Sequence, residues 1–175
     1  MLGKISTFSM LIFALFAAGC GDDDNPVDHH DADDHAEAIG LIIRNSGEEI
    51  VRYENGQVQG EIEVGHGKET ALLSVRFIPE DSNSEPFTPD GDDGYSLDWK
   101  IGNESIAEIE HHPEDGTWAF HIVGLEEGKT YIVLKINHNG HADFVSKEIE
   151  IHVEEDGPGE VHDEDHDEEE DESSD

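Results

Sequence analysis

The sequence predicts an all-β fold: an antiparallel two-sheet sandwich over residues 38–153, carried between disordered acidic tails. Three observations predict it. Short β-branched or alternating apolar runs recur along this stretch, with turn residues between them. Two of the separators, Asn55-Gly56 and Asn139-Gly140, read as type I′ hairpin turns, because both central residues of that turn need positive φ. No stretch carries a helical apolar period.

In chain order, strands are expected over residues 39–44, 49–54, 58–64, 70–78, 95–101, 106–111, 117–123, 130–137 and 142–153. Asn55-Gly56 joins the second run to the third, and Asn139-Gly140 joins the last two. Between residues 79 and 94 lies a long polar loop with Pro79, Pro86 and Pro89, none of which suits a central strand. The flanks are different in kind. Residues 21–37 form an acidic, His-bearing tether, and residues 154–175 form an acidic, His-bearing tail broken by Gly157-Pro158-Gly159. Neither has enough apolar residues to build a core, so both are expected to be disordered.

Three segments carry a family likeness. Leu97-Asp98-Trp99, Ser105-Ile106-Ala107-Glu108-Ile109 and Val123-Gly124-Leu125-Glu126-Glu127-Gly128-Lys129-Thr130-Tyr131-Ile132 resemble a bacterial Ig-like domain of the group 2 type. The likeness covers residues 95–153 and implies an Ig-like sandwich. In such a fold Trp99 would fill the space between the sheets, and Gly124 and Gly128 would serve the turn. Ile106, Ile109, Phe120, Ile122, Ile132, Leu134 and Ile136 would supply much of the core. The likeness implies no activity, since Ig-like modules serve adhesion, spacing and binding alike.

At the N-terminus, Lys4 precedes an apolar run over residues 5–18, which is too short for a permanent span of roughly 20 apolar residues. It closes on Leu15-Phe16-Ala17-Ala18-Gly19-Cys20, which resembles a bacterial lipoprotein signal peptide over residues 1–20. The resemblance implies that Cys20 is diacylated on sulfur and becomes the new N-terminus. Gly21 followed by Asp22-Asp23-Asp24 resembles an export signal for surface lipoproteins, implying an outer-membrane location facing the periplasm or the exterior. Membrane contact is then by lipid anchor only. Cys20 is the sole cysteine, so no intramolecular disulfide forms and the fold rests on its core.

The formal net charge is −36, and the two tails hold 22 acidic residues with no Lys or Arg. Such a surface repels nucleic acid and anionic lipid and attracts cations and basic partners. Salt adaptation would account for the middle of the chain. It accounts less well for histidines joining the acids in both tails.

Twelve histidines sit among these carboxylates. Imidazole with carboxylate is a ligand set suited to zinc, and also to copper or nickel. If Asn139-Gly140 is a two-residue turn, His138 and His141 oppose each other with Cβ atoms roughly 4.5–5.5 Å apart, close enough to share one ion. Asp143 has the strand parity of His141 and adds an oxygen. His138 shares the face of Ile132, Leu134 and Ile136, at the rim of the core. The alternative for this pair is a polar hairpin tip facing water. His121 approaches the hairpin from a neighbouring strand or faces solvent. His66, His111, His112 and His152 read as structural or solvated. In the tails, His29, His30 and His35, with His162 and His166, resemble the metal-capturing loops of zinc-handling envelope proteins, or serve a solvated tether. Asp90-Gly91-Asp92-Asp93-Gly94 resembles a calcium loop without its terminal Glu.

Catalysis has no motif to rest on: there is no G-x-S-x-G, no H-E-x-x-H and no glycine-rich phosphate loop. The expectation is an envelope-anchored binder of divalent metal ions, most of all zinc, that captures or buffers them and hands them to a metal-uptake receptor. The alternative is a structural or adhesive Ig-like surface module with no metal role.

Overall fold

The computed structural model describes residues 36–81 and 83–161. Cys20, His29, His30, His35, His162 and His166 lie outside them. The described chain forms two β-sheets packed face to face, in accord with the all-β sandwich.

The larger sheet holds β1 (Ala38–Asn45), β2 (Glu48–Glu54), β3 (Gln57–Gln59), β5 (Lys68–Glu69), β6 (Leu73–Pro79), β8 (Ala107–Glu110), β9 (Ala119–Gly124) and β13 (Glu160–Val161). The smaller holds β4 (Ile62–Gly65), β7 (Tyr95–Ile101), β10 (Gly128–His138), β11 (His141–Val145) and β12 (Ile149–Glu154). Strand β10 is its spine, with β7 along one edge and β11 then β12 along the other. The Asn-Gly turns are as predicted: φ is 53° at Asn55 and 76° at Gly56, and 48° at Asn139 and 94° at Gly140. Among the described residues every strand-to-strand pairing is antiparallel except β4 with β12, which is parallel in the register Ile62↔Ile151, so the second sheet is mixed.

Alternation places the core. Leu41, Ile43, Val51, Val75, Phe77, Phe120 and Ile122 of the larger sheet meet Ile62, Val64, Ile132, Leu134, Ile136, Ile149 and Ile151 of the smaller. The aromatic centre is Phe77, with Trp118 and Phe144 edge-on at centroid distances of 5.3 and 5.6 Å. Trp99 does not hold that place. It shares the inward parity of Leu97 and Ile101, but β7 is an edge strand, and the ring is only partly buried, 5.7 Å from the ring of His111. Ile106 and Ile109 are also partly buried rather than central.

Three expected strands are interrupted. The run 58–64 divides between the sheets at Gly60, where φ is 82° and a Cβ would run into the Ile50 carbonyl oxygen. The runs 70–78 and 142–153 break by a common device. At Thr70 and at Ser146 the backbone N–H donates across the ladder, to Ile122 and Leu134 respectively, at 2.9 Å in both cases. The side-chain hydroxyl then accepts the partner N–H in place of a carbonyl, at 3.0 Å for Thr70 and 2.9 Å for Ser146. Both residues are buried, so each hydroxyl satisfies a backbone group that would otherwise be costly.

Gly124 is not a turn residue. It ends β9 where a Cβ would collide with the Gly65 carbonyl oxygen, so it allows two backbones to approach closely. Ordered pairing also continues past residue 153. Strand β13 pairs with β5 in the register Glu160↔Glu69, and Lys68 Nζ donates to the Gly157 carbonyl at 2.8 Å.

Candidate metal centre

The β10–β11 hairpin positions the first two donors. In β10, Thr130, Ile132, Leu134, Ile136 and His138 are all buried and the residues between them are not, so the inward face of the strand ends on an imidazole. The Asn139-Gly140 turn then makes His138 and His141 register partners, with ring centroids 5.5 Å apart. Tyr95, the β7 partner of His138, stacks on its ring at 4.1 Å with an interplanar angle of 18°. Asn139 Nδ2 lies 2.9 Å from His138 Nε2, a contact whose donor is set by the imidazole tautomer.

Asp143 comes in through a bulge. The β10–β11 register steps from Asn137↔Ala142 to Ile136↔Phe144, which leaves Asp143 as the extra residue on β11. A bulge redirects the side chain of its extra residue. Here the carboxylate turns between the imidazoles, with its side chain only 1% exposed. Oδ1 is 3.1 Å from His141 Nε2, and Oδ2 is 3.6 Å from His138 Nδ1. Oδ2 also accepts the backbone N–H of Ala36 at 3.0 Å.

These three side chains can hold a metal ion, since each offers a ligand atom within 4.8 Å of the others. Two donors on one tetrahedral zinc, with bonds of about 2.0–2.1 Å, stand about 3.3 Å apart. The 3.1 and 3.6 Å separations, one to each carboxylate oxygen, lie near that edge. Three protein ligands leave a fourth position for water or an incoming group.

The other expected ligands lie elsewhere. His121 does not approach the hairpin. It sits on β9, with Nδ1 2.8 Å from the Thr70 carbonyl and Nε2 3.5 Å from Asp115. His111 packs beside Trp99, and His152 Nδ1 faces Glu154 Oε1 at 3.5 Å. In the loop expected to resemble a calcium site, Asp90 Oδ1 accepts the Asp92 N–H at 3.0 Å and so caps a short 3₁₀ turn, Gly91–Asp93. Sequence reasoning did not find Tyr95 or Ala36, whose signals are long-range pairing. Among the described residues, no helix is long and apolar enough to cross a membrane. No family model and no curated protein matches the chain.

Proposed function

We propose that this chain is an envelope-anchored metal-capture protein that binds zinc through His138, His141 and Asp143. The observation that carries the reading is the buried Asp143 carboxylate set between two opposed imidazoles. A carboxylate removed from water is costly unless a cation or strong donors answer it. A divalent ion in this place would neutralise it and take both imidazoles as ligands. Two nitrogens and one oxygen suit zinc better than calcium or magnesium, which prefer all-oxygen shells.

In this reading Cys20 carries the lipid anchor at the outer membrane. The acidic tails, with His29, His30 and His35 on the N-terminal side, collect ions loosely and raise their local concentration near the fixed site. The role is binding rather than catalysis, with the ion passed on to an uptake receptor. The test is a calorimetric zinc titration of the full chain with His29, His30, His35, His162 and His166 replaced by serine. It is run beside the same chain carrying H138A and H141A. Saturable binding that the hairpin substitutions abolish is the expected result. Equal heats from both chains would overturn the reading.

A further inference from the structure

The segment that leads into β1 meets the hairpin at the Asp143 carboxylate. Ala36 donates its backbone N–H to Asp143 Oδ2 at 3.0 Å, across 107 positions of sequence. That carboxylate is the one set between His138 and His141, with its side chain 1% exposed. Ala36 and Ala38 are partly buried and pack against the core, so the segment lies on the protein rather than beside it.

Residues 36–38 are otherwise lightly held. Ala38 is the ladder partner of Pro79, which has no N–H to give, and the register then shifts before Gly40. The Glu80 N–H reaches the Glu37 carbonyl only at 3.4 Å, and the Ala38 N–H bonds back to Ala36 within the segment itself. A segment with so few bonds to the sheet opens at a lower free energy than the strands behind it. Its contact with the hairpin is nevertheless made on a ligand. A donor on the second oxygen of a ligating carboxylate fixes the carboxylate's orientation, and losing such a partner typically weakens metal binding about 10–100-fold.

Resting on the zinc-binding reading of the hairpin, we propose that Ala36 is a positioning residue, and that zinc occupancy is coupled to the docking of residues 36–38. The Ala36 N–H holds Asp143 between the two imidazoles. The coupling runs both ways, as linkage requires. Bound zinc fastens the base of the tether to the hairpin. Whatever draws residues 36–38 away lets the carboxylate turn and loosens the ion. The tether thus controls the affinity of the site.

The test uses the full chain with His29, His30, His35, His162 and His166 replaced by serine. The substitution A36P removes the N–H and should weaken zinc binding about tenfold or more, whereas A36S keeps the N–H and should retain the affinity. By linkage, saturating zinc should slow hydrogen exchange of the Ala36 amide in the unsubstituted segment by about the same factor as A36P costs. A hydrogen bond with a purely structural role would not respond to zinc. Equal affinity in A36P and its parent would overturn the coupling and leave the hairpin site standing. An equal loss in A36S would also overturn it, because the side chain and not the N–H would then be responsible. Exchange at Ala36 that zinc leaves unaltered would overturn it too, and this measurement needs no variant, so it decides the matter even if A36P fails to fold. A parent chain that binds no zinc at the hairpin would overturn both this coupling and the capture reading.

Discussion

The β10–β11 hairpin and the β8–β9 connection hold similar chemical groups in different mechanical settings. In the hairpin a two-residue turn sets two imidazoles opposite each other, and a bulge drives a carboxylate to 1% exposure between them. At the β8–β9 connection one imidazole is aimed by a backbone carbonyl, but the second sits in a loop with its side chain 48% exposed, and Asp115 is 23% exposed. Burial makes the difference. A buried carboxylate has little water left to lose when a cation arrives and little freedom left to surrender. A half-exposed loop gives up both. The hairpin groups, which come together within 4.8 Å, should therefore hold the ion, and the groups of the β8–β9 connection should not compete with them.

The largest effect expected is on the hairpin carboxylate. D143N removes the buried charge at nearly constant volume and should lower zinc affinity at that site about 100-fold, measured by competition with a chelator of known affinity. D115N should leave zinc affinity unchanged. Equal losses would mean that burial does not separate the two clusters.

The next test concerns stability without metal. His138 is 4% exposed and stacked on Tyr95, so H138A should cost about 2 kcal/mol in urea unfolding, through lost packing and a cavity at the rim of the core. His141, with its side chain 54% exposed, should cost no more than about 0.5 kcal/mol. Both variants should lose zinc binding. The pair thus separates the structural weight of an imidazole from its weight as a ligand.

Acid should weaken zinc binding at the hairpin. Zinc takes neutral imidazole, so protons compete with the ion, and affinity should fall as pH drops below about 6. Zinc-induced thermal stabilisation, followed from pH 7.5 to 5, reports this directly. Stabilisation that persists undiminished at pH 5 would assign the ligation to carboxylates alone.

How much of this was legible follows from what each feature depends on. Asn139-Gly140 is a local signal, and it correctly set His138 opposite His141. Alternation along β10 correctly carried His138 to the core rim, because a two-residue period needs no knowledge of the partner strand. The place of Asp143 was reached by counting parity from His141. Its burial depends on the bulge and on the Ala36 amide, 107 positions away, and neither is a local property. Gly60, Thr70 and Ser146 broke runs that pattern alone reads as continuous, since a hydroxyl substituting for a carbonyl looks like any other strand residue. Trp99 carried the family likeness, but its strand lies at a sheet edge, and the central aromatic position went to Phe77. His121 was expected to approach the hairpin, but strand order decides which turn a β9 side chain meets, and it faces Asp115 instead.

The smallest expected effect comes from a charge pair outside both clusters. Arg52 on β2 makes two hydrogen bonds to Glu49, at 2.8 and 2.9 Å, and reaches Glu54 at 3.4 Å. The guanidinium hydrogen bond, more than the charge itself, holds the Glu49 carboxyl below its ordinary value. A carboxyl so depressed lends stability above its unfolded pKa, and that stability is lost as pH falls through the lower folded value. The window therefore opens below the ordinary glutamate value of about 4.3. Both side chains are about one-third exposed, at 34% and 36%, so solvent screens the pair. R52A should cost less than about 1 kcal/mol at neutral pH, less again in high salt, and nothing measurable once Glu49 is protonated. It should leave the zinc titration of the hairpin unchanged. A loss of zinc affinity in R52A would mean that the surface field, rather than the buried carboxylate and its two imidazoles, governs binding, and the contrast between the two clusters would lose its basis.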